Sequence, residues 1–363
     1  MTFGNLVGQE RVSGLLRRMV VSERIPPAVL IVGPEGSGKT AAAVALGRAL
    51  LCTGDASVAP CEACDDCSRT RMMSHPDLHV KIPMKRVKDQ DPPLEDQQAR
   101  ALEAVQDPYG YALPDRNDNV SIDRVRQLIS EFGRASFQGG RRVAIILHAT
   151  QMRPEGANAL LKTLEEPPEN ATMILTAPSL ESLLPTIISR CQLFRLGPAS
   201  TDALANYLTD QKGTSKENAD FVARLSGGNV REALNLASDE AHTTQDRAFR
   251  FVSALVGGRE SQTFVALDQL AAEKEDVFGV LKGAEVWLRD ALQCRCGRHE
   301  GIVNQHRMQD VEQLASQMTE DMILTLAQEI ERVREMNIRN INLQLSLTEL
   351  WRRTRETAPA GSF

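Results

Sequence analysis

The segment Gly33-Pro34-Glu35-Gly36-Ser37-Gly38-Lys39-Thr40 restricts the possible folds of this chain more than any other. It follows the apolar run Ala28–Val32 and opens the Ala-rich stretch Lys39–Leu51, the strand-to-helix setting in which a G-x-x-x-x-G-K-[ST] pattern is a phosphate loop. Its glycines let successive backbone N–H groups turn toward phosphate oxygens, and the helix N-terminus adds positive potential. Lys39 then reaches the β/γ oxygens and Thr40 offers a ligand to Mg²⁺. Further apolar runs, Val143–Leu147 and Met173–Thr176, alternate with helical periodicity as at Asn158–Glu165. That alternation predicts an α/β domain built on a parallel sheet.

Binding a triphosphate and splitting one need different residues. Hydrolysis calls for a second strand ending in an Asp that holds Mg²⁺, with a carboxylate beside it for the attacking water. Here Val143–Leu147 runs into His148-Ala149-Thr150, with neither acid in place. A neutral imidazole does not offset the charge of Mg²⁺, so His148 reads as the cap of a buried strand. ATP or ADP with Mg²⁺ remains a possible ligand of the loop, held statically and stabilising the domain by mass action.

Four of the seven cysteines crowd into Cys52-x8-Cys61-x2-Cys64-x2-Cys67. Two x2 spacings in succession bring neighbouring sulfurs onto one tetrahedral ion, and Zn²⁺ is its natural occupant. With all four positions filled by protein the metal is structural, and it holds an excursion with little core of its own. His75 and His79 are surplus to that set and read as packing or capping residues; Cys294-x-Cys296 is too close for an ordinary chelate pair.

The 363 residues suit two or three domains, and 42 Lys+Arg against 48 Asp+Glu give a net charge of −6. This is not the overall footprint of a protein that coats DNA. Aromatics at 4% leave little material for a base-stacking platform. The apolar runs fall far short of the roughly 20 residues of a membrane span, and Met1–Glu10 carries no secretory pattern, so a cytoplasmic protein is expected. The Pro-, Asp-, Arg- and Gln-rich segment 81–119 reads as an excursion of loop and short helix. Beyond Gly197-Pro198 the strand signal fades. The expected division is a sheet domain over 1–196, with insertions at 52–67 and about 81–119, a helical lid over 197–246, a helical domain over 247–356 and a mobile tail, 357–363.

Taken together these residues resemble the clamp-loader subunits of bacterial DNA polymerase III in the AAA+ class, of the delta-prime type and related to tau/gamma. The likeness rests on Val7-Gly8-Gln9-Glu10, the phosphate loop with its four-cysteine insertion, Ser74-His75-Pro76-Asp77, the run Ala157 to Pro168, Ser189-Arg190-Cys191, Gly228-Asn229-Val230-Arg231 and Asn340 to Leu345. It implies an AAA+ phosphate-loop domain, a small helical lid and an all-α collar joining a hetero-oligomeric ring. Arg190 would be an arginine finger acting in trans, Arg231 a nucleotide sensor acting in cis, and Thr176 the place of a second sensor. Lys162 would stand near a neighbouring subunit, and the amphipathic stretch Ile338–Trp351 would pack in the collar. The implied partners are tau/gamma and delta subunits and, through the assembly, the sliding clamp and primer-template DNA. The missing acids depart from the family's motor subunits and favour a largely non-hydrolysing component of the polymerase III holoenzyme. The intact phosphate loop departs from many delta-prime chains, and an active tau/gamma-type or other AAA+ ATPase is the alternative.

Overall fold

The computed structural model describes residues 2–88, 90–137, 139–237, 240–257, 263–265, 267–268, 270, 277–337 and 343–356. Gly258, Asn340 to Asn342, the start of the Ile338–Trp351 stretch and the 357–363 tail lie outside the described residues. The chain packs as two compact units, Met1–Ala219 with Ser226–Asn235 and Asp220–Leu225 with Leu236–Phe363. The segment expected as a separate lid is divided between them.

In the first unit, α1 (Glu10–Val21), β1 (Ala28–Val32), α2 (Lys39–Leu51), α3 (Asp65–Arg71), β2 (Leu78–Lys81), α4 (Leu94–Gln106), α5 (Ile122–Gly133), β3 (Arg142–Ile146), α6 (Pro154–Glu165), β4 (Ala171–Ala177), α7 (Pro185–Ile188), β5 (Gln192–Arg195) and α8 (Thr201–Lys212) follow in order. α9 (Lys216–Leu225) then carries the chain onward, and α10 (Val230–Leu236) returns to the first unit. The sheet order is β2-β3-β4-β1-β5, every pair parallel, with Leu30 opposite both Leu175 and Leu193 and Ala144 opposite Met173. Every residue of β1, β3 and β4 is buried, as strands covered on both faces must be, and this is why they read as unbroken apolar runs. β2 and β5 were not legible as strands. Leu78-His79-Val80-Lys81 is short and half polar, and β5 is a partly exposed edge.

One sheet face, including Leu30, Val32, Ile146 and Leu175, shares a core with Val125, Leu128 and Phe132 of α5 and Leu160 and Leu164 of α6. α2, buried from Thr40 to Ala49, packs against the other face. A Cβ on Gly47 would stand 2.9 Å from Ile145 Cδ1, so the bare glycine lets this helix lie close to β3. The excursion over 81–119 is more ordered than loop and short helix. α4 is a 13-residue helix with Ala101, Ala104 and Val105 buried.

Among the described residues, the second unit is mainly helical and includes α11 (Glu240–Gly257), α12 (Val277–Arg295), α13 (Met308–Gln317), α14 (Glu320–Asn337) and α15 (Leu343–Glu356). They enclose a core that includes Val252, Leu281, Trp287, Leu326 and Leu350. Burying Trp287 requires a partner for its N–H, which donates to Gln245 O at 3.0 Å. Asp290, equally buried, accepts from the backbone N–H groups of Val303 and Asn304 at 3.0 and 2.9 Å.

Candidate nucleotide and metal sites

β1 lies where the strand order reverses, with β4 on one side and β5 on the other. The crevice beyond the carboxyl ends of parallel strands at such a point is the usual ligand site, and Gly33–Thr40 occupies it. Gly36 and Gly38 have φ of +69° and +90°, a left-handed region that other residues avoid. Gly36 has a second reason to be glycine, since its Cβ would collide with Asn229 Oδ1. That asparagine caps α10, accepting from Glu232 N at 3.0 Å, while Val230 N donates to Gly36 O at 3.1 Å. The first turn of α10 is thereby fixed on the loop and delivers Arg231 to it. Thus Gly33, Pro34, Glu35, Gly36, Ser37, Gly38, Lys39, Thr40 and Arg231, all singled out from sequence, lie together.

Several of these groups are engaged by the chain itself. Lys39 Nζ donates to Pro34 O at 2.7 Å, and burial pulls its pKa down to about 8, against the opposing pull of Glu35. Thr40 Oγ1 stands 3.2 Å from Tyr111 OH, which in turn lies 2.7 Å from His148 Nε2. His148, with φ of 50°, ends β3 where the hydrolytic acid is missing. Burial, reinforced by Lys39, Arg231 and Arg100, lowers its pKa to about 4, so it is neutral near pH 7. Thr176 is buried and accepts from His148 N at 3.0 Å. Arg231 donates to Tyr111 O and lies 5.0 Å from the centre of the Tyr111 ring. The space remaining between the loop, Tyr109, His148 and Arg231 is about 40 Å³. Tyr109 and Leu113 of the 81–119 excursion line this space together with the loop.

Sequence reasoning missed Tyr109 and Tyr111, although a signal was present. The chain has 3 tyrosines, and two of them flank Gly110 inside a polar insertion.

The four expected metal ligands do converge. The Sγ atoms of Cys52, Cys61, Cys64 and Cys67 lie within 4.8 Å of one another, with Cys52 to Cys64 and Cys61 to Cys67 both at 3.9 Å. Sulfurs about 2.3 Å from a tetrahedral Zn²⁺ sit ~3.8 Å apart, so the set fits that ion. Backbone N–H groups of Cys61, Cys64 and Cys67 donate to the sulfurs of Cys52, Cys61 and Cys64 at 3.4, 3.3 and 3.3 Å; such bonds hold the Cys61 and Cys64 thiols below the usual range, while burial pushes Cys52 and Cys67 up. The knuckle is fastened to α2 through Arg48, only 2% exposed, which makes a two-pronged pair with Glu62 at 2.9 and 2.8 Å and donates to Cys67 O at 3.2 Å. His75 is buried beside Asp66 at 3.4 Å and accepts from Asp77 N at 3.1 Å, a packing and capping role.

Arg190 follows α7 and is partly exposed. No acidic residue is close to it in sequence, and the fold supplies one. Glu165, at the end of α6, accepts from Arg190 Nη2 at 2.5 Å, and Thr186 O accepts from Nη1 at 2.8 Å. Lys162, one turn earlier on α6, is exposed.

The chain is similar to known proteins over most of its length. The family model described as DNA polymerase III, delta subunit matches residues 8–200, and a second model, for the C-terminal part of the delta subunit, matches 250–355. The chain is 27% identical to the Bacillus subtilis (strain 168) DNA polymerase III subunit delta' over 342 residues, 93% of each chain. Identity to the Yersinia pestis subunit delta' is 29% over 329 residues, 89% of this chain and 87% of that protein. A gamma/tau subunit of Mycobacterium bovis (strain ATCC BAA-935 / AF2122/97) is 30% identical over 258 residues, 68% of this chain and 39% of that protein.

Proposed function

The chain belongs to the DNA polymerase III delta-subunit family, and from that premise we propose that it is the delta-prime-type member of a clamp loader, lending Arg190 to the ATP of a neighbouring subunit and splitting none itself. The observation that carries this reading is the end of β3. A neutral His148 hydrogen-bonded to Tyr111 stands where two carboxylates would be needed, and nothing there can hold Mg²⁺ or polarise a water. What remains useful for ATP chemistry is a cation at the surface. The Arg190–Glu165 pair leaves its side chains 32% and 50% exposed, and such pairs are worth only about 0.2–1 kcal/mol. A neighbour's γ-phosphate can therefore draw the guanidinium away. Glu165 keeps Arg190 parked beside α6 until that phosphate arrives.

The neighbours in this reading are tau/gamma- and delta-type subunits, as the relatives' names suggest. The second unit would supply the collar, with the sliding clamp and primed DNA engaged through the assembly. Arg231 is a nucleotide sensor by position, and Cys52, Cys61, Cys64 and Cys67 hold a structural Zn²⁺. No helix among the described residues is long and apolar enough to cross a membrane, and a cytoplasmic location is part of the proposal. The intact Gly33–Thr40 loop favours one rival, an active tau/gamma-type motor, which predicts ATP turnover by the isolated chain. To test the finger, the full chain is reconstituted with its partner subunits and DNA-stimulated ATP turnover is measured. Arg190→Ala is expected to remove turnover at the adjoining site by roughly 10³-fold while the complex still elutes as one species. Unchanged turnover would refute the role of Arg190.

A further inference from the structure

The insertion that contains α4 ends in a short segment, Asp107 to Leu113, laid directly on the phosphate loop. Two residues make the contact. Tyr109 is buried, its OH accepts from Val7 N at 3.2 Å, and a Cβ on Gly38 would stand 2.9 Å from it. Tyr111, 1% exposed, meets Thr40 and His148 through its hydroxyl and Arg231 through both its ring and its carbonyl oxygen.

Two of these partners, Thr40 and Arg231, are groups that a magnesium nucleoside triphosphate would use. Thr40 is the metal-ligating hydroxyl of a phosphate loop, and Arg231 stands over the same loop. The charges of Lys39, Arg100 and Arg231 cluster around His148, with the carboxylates of Glu35 and Glu103 close by. The face of an aromatic ring carries negative charge density and attracts a guanidinium, and the Tyr111 carbonyl supplies an acceptor. Tyrosine thus serves as an uncharged stand-in for the anion.

The segment is held as well as placed. Gly110 N donates to Asp107 Oδ1 at 2.9 Å, Ala112 N donates to Glu103 Oε1 at 2.9 Å, and Ala112 O accepts from Arg100 Nη2 at 2.5 Å. Arg100 and Glu103 stand on α4 and pair with each other at 2.9 Å. The helix acts as a clasp on the segment.

We propose that Asp107–Leu113 is an intramolecular latch on the phosphate loop: Tyr109 and Tyr111 occupy the place and the partners of a nucleoside triphosphate, which binds only when the segment is displaced. This rests on the reading above only in taking Gly33–Thr40 as the nucleotide site. An unlatched fraction f weakens apparent affinity by 1/f. A latch closed in most molecules therefore masks a competent loop instead of destroying it.

The test is equilibrium binding of a fluorescent ATP analogue with Mg²⁺ to the full chain. Wild type is expected to show no saturation up to about 1 mM, and Tyr109→Ala/Tyr111→Ala to bind at least about tenfold more tightly. Adding Lys39→Ala to that variant abolishes the gain. If the double variant fails to fold, Glu103→Ala removes the acceptor of Ala112 N, loosens the clasp and is expected to tighten binding at least about threefold. Micromolar binding by wild type overturns the latch, as does a folded variant of either kind that binds no better than wild type. Neither result touches the turnover test of Arg190, and a silent Arg190→Ala would leave this competition standing.

Discussion

The two ends of α2 carry the two sites of this molecule, and they solve opposite electrostatic problems. At the N-terminal end the backbone N–H groups of the loop, the helix dipole and the cations of Lys39 and Arg231 call for negative charge. The chain answers with its own tyrosines. At the C-terminal end Cys52 caps the same helix, where the dipole is negative and three further sulfurs crowd in. Four cysteines there could ionise together only around a metal ion, a cation that has to come from outside. A polypeptide can imitate an anion with a ring face and a carbonyl, but it cannot imitate a divalent ion at the centre of four sulfurs. The first site can be closed without a ligand, while the second is built to hold one kind of ligand, a metal ion.

The largest expected effect is at the sulfur end. Cys67→Ser should lower bound zinc from one equivalent per chain toward none in metal analysis and cost at least about 5 kcal/mol of first-unit stability. Full stability with no metal would erase the contrast between the two ends.

Next comes acid. With a folded pKa of about 4 against 6.5 for an ordinary histidine, the unfolded chain binds the extra proton over that interval. His148 therefore contributes stability that is whole above pH 6.5, falls as pH drops toward 4 and is lost below it. The loss is of order 3 kcal/mol. Denaturant titrations at a series of pH values should show it in wild type and not in His148→Gln; the buried His75 and the partly exposed His79 remain in both proteins. Equal acid sensitivity would show that His148 does not hold the tyrosine end together as a neutral partner.

The smallest effect concerns the fastening between helix and knuckle. Arg48→Met removes the buried half of the pair with Glu62, whose side chain is 34% exposed. It should cost about 2 kcal/mol with zinc content unchanged, read by thermal unfolding beside metal analysis. Loss of the metal in this variant would mean that Arg48 helps form the sulfur cage as well as anchor it.

The amino-acid order by itself determined those features whose chemistry is local. The loop is legible because strand, glycines, lysine and helix are contiguous. The cysteine cage is legible because short spacings limit where four sulfurs can go, and β1, β3 and β4 because burial on both faces demands unbroken apolar runs. The lack of hydrolytic acids followed from reading two residues after one strand. Tertiary structure alone decided what fills the loop, since Tyr111 meets Thr40 across 71 residues, by way of a polar excursion whose path no local preference encodes. It also decided that Arg190 rests on Glu165, 25 residues away, and that Arg48 holds the knuckle to α2. Contacts of this kind depend on how the sheet order returns distant segments to one crevice. Residue type and spacing carry the capacity to bind an ion or a phosphate, and only the folded path sets which capacities the chain satisfies from within.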